Sequence, residues 1–555
     1  MNIHANEIGI SKEGTGSVFT SGSIKSSYDA IVVGAGHNSL TTAAYLAKSG
    51  LSVCVLEKND IVGGGVVSRE ITAPGFVHDT HATGMILIMA NPMIANDELE
   101  LKSRFGLEFD NPEGTYVSMF DDETWLGTYV DLDKTCKSIA KFSQKDAETY
   151  RAFVQRTSTL APLFAAGMFK PPLPFGPFLA MLEQHPLGQD FINSMLTSAT
   201  DYIMKMFEHE KVRMHFMKWV AEGMIHPDER GTGVYMYFLT AVAHSQEETS
   251  VRGGTQALSD SLARCIAQHG GEIHTNTWVR RVLVSDGKTT GVELASGQIV
   301  SANKSVVACI HPHVLGDYIE GLDEQLIADA RNCELSSFGA INTHWALHEA
   351  PSYKCPEINK SLLVECVPSR MELLRQGLDD CRAGRLASDF NAVIAHHTNH
   401  DPSRAPDGKH TLYLYCFAPL ELRNTGPLGG LDVSEWNMEI RDHYKEWMME
   451  KYSAYCTNMT ADNIIASAAE SPADMAEWSP SFQKGDIFGI GNWMHQYLGR
   501  RPTPALAQYA VPGADGLYLA GPFMHPGGAV TGGGRATAMK ILDDMNADIS
   551  AVMAV

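Results

Sequence analysis

Residues 28–65 read YDAIVVGAGHNSLTTAAYLAKSGLSVCVLEKNDIVGGG. The apolar run Ala30 to Val33 enters Gly34-Ala35-Gly36, where the chain must turn tightly with no Cβ atoms in the way. Helical spacing follows: Leu40, Ala43, Ala44, Leu46 and Ala47 share one face, and Gly50 stops the pattern. Ser52 to Leu56 reads as a second buried strand with Glu57 at its end. This order of elements makes a dinucleotide cradle. Glycines let a pyrophosphate approach the backbone, the helix start offers unpaired N–H groups, and an acid about 20 residues on can bind a ribose hydroxyl pair. Ser39 stands where the motif's third glycine falls, and it is small enough to keep helix and strand close. The competing reading is an ordinary βαβ unit with a glycine turn.

Composition sets the frame around this unit. A chain of 555 residues is long enough for two or three domains, and 44% hydrophobic with 19% charged residues is ordinary for a globular protein. A net charge of −22 with no basic stripe argues against a nucleic-acid partner and against electrostatic docking on anionic lipid. The ten cysteines are scattered with no C-x-x-C pair, which suits a reducing compartment and speaks against a dithiol site. Residues 1–27 read as a flexible Ser/Gly/Thr-rich leader without the features of a targeting signal. No run of about 18 apolar residues is present, so the expectation is a cytoplasmic protein that does not span a membrane.

A second glycine cluster, Gly63-Gly64-Gly65, closely follows Glu57; a nicotinamide enzyme would not need it, and it suggests a longer cofactor held from two sides. In the stretch from Pro74 to Met89, His78 and His81 flank Asp79, which reads either as a metal site or as a loop packed beside the cofactor. Prolines 162, 171, 172, 174 and 177 interrupt the apolar stretch Leu160 to Leu182, which is either a packed loop or an access patch for a greasy substrate. Such a patch would also make the protein a candidate for peripheral membrane contact. Met and aromatic residues then recur at helical spacing, among them Trp219, Met224, Tyr235 and Phe238, as an adaptable apolar pocket would need.

Arg252-Gly253-Gly254 leads into a helix, followed by a hairpin turning at Asp286-Gly287 and a strand from Val306 that returns to the sheet. This places Val279 where its backbone could meet an adenine; plain strand core is the alternative. His396, His397 and His400 read as a surface or loop cluster, with metal binding as the alternative, and the strand carrying Tyr413, Tyr415 and Phe417 as a pocket floor. In the C-terminal block, Gly516 to Gly521 is a strand ending in a glycine turn. Glycine-rich residues 527–534 then open a helix whose N–H groups can face a ligand. Such a dipole end would stabilise the anionic reduced flavin. A nicotinamide gains no anionic charge on reduction, so the cofactor expected is FAD.

Together these blocks resemble the phytoene desaturase-like branch of FAD-dependent oxidoreductases, in particular the group with desaturase-like carotene ketolases and pyridine nucleotide-disulphide oxidoreductase domain-containing protein 2. The residues that carry the resemblance are VVGAGHNSL (32–40), LEKNDIVGGG (56–65), RGGTQALSDSLA (252–263), DPSRAPDGKHTL (401–412), GDIFG (485–489) with Arg501-Pro502, and GLYLAGPFMHPGGAVTG (516–532). The resemblance implies an α/β fold: a Rossmann-type FAD-binding domain of discontinuous segments (28–110, 246–320, 481–555) and an α+β substrate-binding domain (111–245, 321–480), amine oxidase-like in plan. It implies Gly34, Gly36, Ser39 and Glu57 at the ADP half, flanked by Ala35, His37, Asn38 and Lys58. It places Gly64 and Gly65 at the pyrophosphate, Val279 at the adenine, and Gly521, Pro522, Ala529 and Val530 at the flavin end. Gly521-Pro522 lacks the acid that many flavoproteins place there, and Ala529 stands where a third glycine is frequent. The activity implied is dehydrogenation of a small lipophilic, conjugated or terpenoid-like substrate. His81 and His525, in blocks expected near the ring, are the acid/base candidates, a satisfied core or loop histidine being the competing reading, and no metal is expected. Flavin-dependent isomerisation or ketolation of the same substrate class, or a non-catalytic interaction protein of flavoprotein fold, are the alternatives. With no second GxGxxG unit and no cysteine pair, disulfide reduction is not expected.

Overall fold

The structure, a computed structural model, describes residues 19–20, 22–113, 116–160, 167–424 and 434–554. Two seven-stranded sheets frame it. In the first, strand β1 (Ser27–Val33) leads through the glycine turn into helix α1 (His37–Lys48) and strand β2 (Val53–Leu56). Four parallel pairings build its centre: β1 lies between β2 and Ile299–Ala308, Glu272–His274 extends it beyond β2, and Leu517–Leu519 pairs with the end of Ile299–Ala308. The antiparallel pair Val279–Ser285 and Lys288–Leu294 completes it. Their turn has φ 50° at Asp286 and 74° at Gly287, the two positive angles that a tight hairpin matching strand twist requires. Every residue of β2 is buried, as a parallel strand covered on both faces must be.

The first and last glycine blocks meet inside this unit. A Cβ on Gly534 would lie 1.9 Å from the Asn38 carbonyl oxygen, and Thr42 Oγ1 donates to Gly534 O at 3.0 Å. The C-terminal helix Gly534–Asp544 therefore crosses α1 at backbone contact, which only glycine permits. Residues 1–18 and 21 of the expected leader lie outside the described residues. Thr20 is tied down on the sheet edge, where its N–H donates to Ile273 O at 2.9 Å.

The second sheet runs Ile464–Glu470, Gly339–Leu347, His410–Ala418, Ala392–Ala395, Leu363–Val367, Tyr116–Phe120 and Trp125–Thr128. Strand alternation sends Ile341, Leu412, Leu414 and Ile394 into a core with Tyr444, Met448 and Tyr452 of helix Met438–Ser453. The register Glu365–Val393–Tyr415–Asn342 lays a row of side chains across the opposite face, toward the first sheet. Helices Gln144–Thr157, Glu210–Ala221 and Tyr235–Ala243 close over that face with a Met- and aromatic-rich core. The proline-rich stretch interrupts helix as expected, except that Phe175–Glu183 is helical, with Pro177 in its first turn, where a missing N–H costs nothing. Pro162 lies outside the described residues.

Three distant segments are tied by one buried ion network. Arg404 is fully buried; its guanidinium donates to Asp79 Oδ2 at 2.6 Å, Asp401 Oδ2 at 3.1 Å and the Val251 carbonyl. Asp79 also accepts from Ser68 Oγ at 2.6 Å and Thr255 N–H at 2.7 Å, while Asp401 takes Gly253 N–H at 2.6 Å. Burial alone would raise the Asp79 carboxyl, but Arg404 and these donors hold it below the usual carboxylate range. The 252–263 and 401–412 motifs thus meet at Asp79. No helix among the described residues is long and apolar enough to cross a membrane.

Candidate functional site

Between the sheets lies a cavity of about 440 Å³ whose wall combines the glycine blocks with the face of the second sheet and its covering helices. Gly34, Gly36, His37, Asn38, Ser39, Glu57, Lys58, Gly64, Gly65, Val279, Gly521, Pro522, Ala529 and Val530 all line it, and so does His81. Ala35 does not. It sits behind the wall as a joint, its N–H donating to Glu57 Oε2 at 2.7 Å and its carbonyl accepting from Gly63 N–H at 2.8 Å. The other Glu57 oxygen takes Asn59 N–H at 2.9 Å, so the carboxylate is fixed at the glycine turn with lone pairs to spare. Lys58 turns outward, its ammonium donating to Glu477 O at 3.0 Å.

The two N-terminal glycine clusters form one cradle. Gly36 and Gly63 pair as a β-bridge, and a Cβ on Gly64 would approach Gly36 Cα to 3.0 Å. Gly36 itself has an ordinary φ of −66°, and a Cβ there would meet nothing within 4 Å. Nothing in the chain requires glycine at 36, whereas a group lying on the cavity side of the backbone would. Gly36 caps α1 without a side-chain hydrogen bond, leaving the first-turn N–H groups toward the cavity. Ser39 Oγ, His37 Nε2 and Thr531 Oγ1 are buried on the same wall without hydrogen-bond partners. An open glycine, an uncapped helix start and orphaned polar atoms fit a phosphate-bearing dinucleotide.

At the other end of the chain the arrangement differs from the sequence reading. Gly528 to Thr531 line the cavity, but Gly532, Gly533 and Gly534 stand behind them, and Gly534 N–H donates to Asn38 Oδ1 at 3.3 Å. The helix start is used for packing on α1, so the contact presented to the cavity is the 528–531 loop. Ala529 holds φ 66°, a left-handed conformation rarely taken by a residue with a side chain. Buried Arg501 fixes this region from behind by donating to the carbonyls of Phe488 at 3.1 Å, Gly491 at 3.1 Å and Pro522 at 2.8 Å.

His81 and His525 separate clearly. His81 stacks against Trp478 with ring centroids 6.4 Å apart, its Nδ1 lies 2.8 Å from Thr80 Oγ1, and its Nε2 is buried without a hydrogen-bond partner. Burial lowers its pKa, so the ring is neutral near pH 7. His525 does not line the cavity; its Nε2 points at the Gly167 carbonyl 3.1 Å away. The expected surface cluster is also corrected: His396 and His397 are buried, His396 bonded to Tyr353 at 2.7 Å and His397 to Thr83 O at 3.2 Å. Both are core histidines held by pairing. Among the described residues no group of three or more His, Cys, Asp or Glu could hold a metal ion.

The far wall carries Met168, Trp219, Tyr235, Phe238 and Leu239, with Tyr413 and Tyr415 on the sheet floor as their strand alternation suggests. Sequence reading missed several polar residues here: Cys309, Glu222, Glu248 and Glu365 line the cavity, and Lys218 backs it. An acid inside the apolar run of Leu363–Val367 was the available signal.

The family model for NAD(P)-binding Rossmann-like domains matches residues 32–94. Over nearly the whole chain the similarity is to curated oxidoreductases. Pyridine nucleotide-disulfide oxidoreductase domain-containing protein 2 of Mus musculus is 28% identical over 94% of this chain and 95% of its own. A limonene dehydrogenase chain of Castellaniella defragrans is 26% identical over 94% and 95%. The lycopene-forming phytoene desaturase of Pseudescherichia vulneris is 24% identical over 93% and 99%. The chain is thus similar over nearly its whole length to oxidoreductases that include phytoene desaturases. Solved structures share the fold: an oxidoreductase from Methanosarcina mazei (TM-score 0.59, 14% identity, 93% and 99% of the chains covered) and putrescine oxidase bound to putrescine (0.56, 18%, 94% and 99%). The expected α/β plan, a Rossmann-like sheet beside a second mixed unit, is therefore the plan of this chain.

Proposed function

We propose that the chain binds FAD and dehydrogenates a small lipophilic substrate, leaving a C=C bond. The observation that carries this reading is continuity: the glycine cradle and the Met- and aromatic-lined wall belong to one cavity. Gly34, Gly36, Ser39 and Glu57 would hold the ADP half, Gly64 and Gly65 the pyrophosphate, Val279 the adenine, and Gly521, Ala529 and Val530 the flavin end. Bound there, FAD supplies a two-electron acceptor for a hydride from substrate carbon. The unit that holds it would comprise residues 28–110, 246–320 and 481–555, with 111–245 and 321–480 forming the substrate side. The apolar wall desolvates the substrate and keeps water from the reacting carbon. His81 would take a proton at Nε2, which has no hydrogen bond and lies 3.9 Å from Glu470 Oε2, while the Trp478 stack and Thr80 hold its ring.

Anaerobic mixing of the purified protein with terpenoid candidates tests the chemistry. The expected result is bleaching of the flavin band with a product lighter by two hydrogens. A product of unchanged mass means isomerisation, and a flavin that no lipophilic compound reduces contradicts the proposal.

Substrate delivery from a membrane surface is part of the same reading. Helix Phe175–Glu183 is apolar, with Leu182 buried and Phe175, Phe178 and Leu179 half-buried against the core, Leu173 beside it is 51% exposed, and Met168 of the same segment lines the cavity. Flotation with neutral phosphatidylcholine vesicles is expected, weakened by Leu173→Glu; a protein that stays wholly in the aqueous fraction refutes this contact.

A further inference from the structure

The cavity wall holds an ionisable cluster that the proposed dehydrogenation does not use. Lys218, on helix Glu210–Ala221, is 1% exposed at its side chain, and its ammonium reaches carboxyl oxygens of both Glu222 and Glu365, the latter at 2.6 Å. Its ammonium also lies 4.4 Å from the Phe417 ring centroid. Glu222 and Glu365 line the cavity, whereas Lys218 sits behind them. Beside them Tyr116 lines the cavity with its ring stacked on Trp219 at 4.7 Å, and its buried hydroxyl makes no hydrogen bond of good geometry, with the Glu365 carboxyl and the Ser118 hydroxyl as its nearest polar groups. His215, on the same helix, is excluded from the group because Ser118 and Thr128 occupy its two nitrogens at 2.8 Å each.

A buried ion group of this kind opposes folding unless its charges are compensated, and apolar side chains of equal volume would fill a plain core as well or better. Here two carboxyl groups and a phenol sit together in the cavity wall, next to Trp219, Tyr415 and Val393. Burial and the Glu222 carboxylate push the Glu365 carboxyl up to about 8, so it carries a proton near pH 7. With Lys218 already balancing Glu222, the cluster is neutral overall and offers O–H donors; it has little to attract a second cation.

We propose that Glu365, Glu222 and Tyr116, backed by Lys218, form a polar subsite that binds a carbonyl or hydroxyl oxygen on an otherwise apolar substrate. The inference rests on the cavity being a lipophilic-substrate site and narrows it: the substrate is an oxygenated lipid or terpenoid and not a bare hydrocarbon. A bare hydrocarbon would leave the Tyr116 and Glu365 donors desolvated and unpaired.

The test compares probes of one carbon skeleton, farnesol, farnesal and β-farnesene, by calorimetric titration of the purified protein with whatever cofactor it carries. Farnesol or farnesal is expected to bind roughly tenfold or more tightly than β-farnesene, about the worth of one good hydrogen bond. Tyr116→Phe and Glu365→Gln should each bring that ratio toward one while leaving β-farnesene affinity unchanged. Tyr116→Phe keeps the ring and its stack on Trp219 and removes a hydroxyl with no hydrogen bond of good geometry, so its fold is retained even if Glu365→Gln proves unstable. Equal binding of all three probes to the wild type, or a ratio that survives Tyr116→Phe, overturns the subsite and leaves the lipophilic cavity standing. Binding of none of them overturns both readings of the cavity.

Discussion

Arg404→Met is expected to lower the stability of the folded chain by about 3–5 kcal/mol, the cost of breaking a buried ion pair from one side. The guanidinium is the single cation bonded to both Asp79 and Asp401 in the Arg404 network, at 2.6 and 3.1 Å, and these carboxylates are almost wholly buried. Methionine fills the volume but leaves two buried negative charges whose remaining donors are Ser68, Thr255, Gly253 and Ser403. Folding would then draw a proton onto Asp79 or onto His397, whose Nε2 lies 3.6 Å from Asp79 Oδ2, so the loss should be smaller in Arg404→Met/Asp79→Asn than in the single variant. Urea unfolding at pH 7 measures both. A loss below about 1 kcal/mol in Arg404→Met, the size of a surface effect, would show that the network does not hold the three segments together.

The second large effect concerns binding and spares the fold. Gly36→Val should leave the cofactor-free protein's unfolding midpoint within the range of a neutral surface change, because the added side chain meets no protein atom within 4 Å of its Cβ and φ is −66°. The same side chain occupies the cavity side of the cradle, where the pyrophosphate is proposed to lie. FAD affinity should fall on the order of 100-fold, about 2.7 kcal/mol. Gly534→Val makes the contrast. A Cβ there would lie 1.9 Å from the Asn38 carbonyl oxygen, so that variant should fail to fold whether or not FAD is present. If Gly36→Val retained full FAD affinity, the cradle would not be a pyrophosphate site.

Local chemistry accounts for what was legible. The β1–α1–β2 unit, the Asp286-Gly287 hairpin and the pocket-floor strand with Tyr413 and Tyr415 follow from glycine placement and apolar period, which act over a few residues. The C-terminal helix was legible for the same reason, but its partner was not: Gly534 meets Asn38 across 496 residues. Such contacts decide whether a helix start serves a ligand or a neighbouring helix. The DPSRAPDG motif gave no hint of its role, since Arg404 reaches an aspartate 325 residues away. His81 and His525 looked equivalent as lone histidines in glycine-rich blocks, and only the direction of their ring nitrogens separates them. Lys218 and Glu222 are four residues apart, a spacing equally usual on an exposed helix face, and nothing local marks them as the buried group that Glu365 completes.

The central claim is that the glycine blocks hold FAD, and the absorption spectrum of the freshly purified wild-type protein tests it most directly. The expected result is a yellow protein with flavin bands, releasing FAD on denaturation at about one equivalent per chain. A colourless protein that takes up no FAD when it is supplied would contradict the claim.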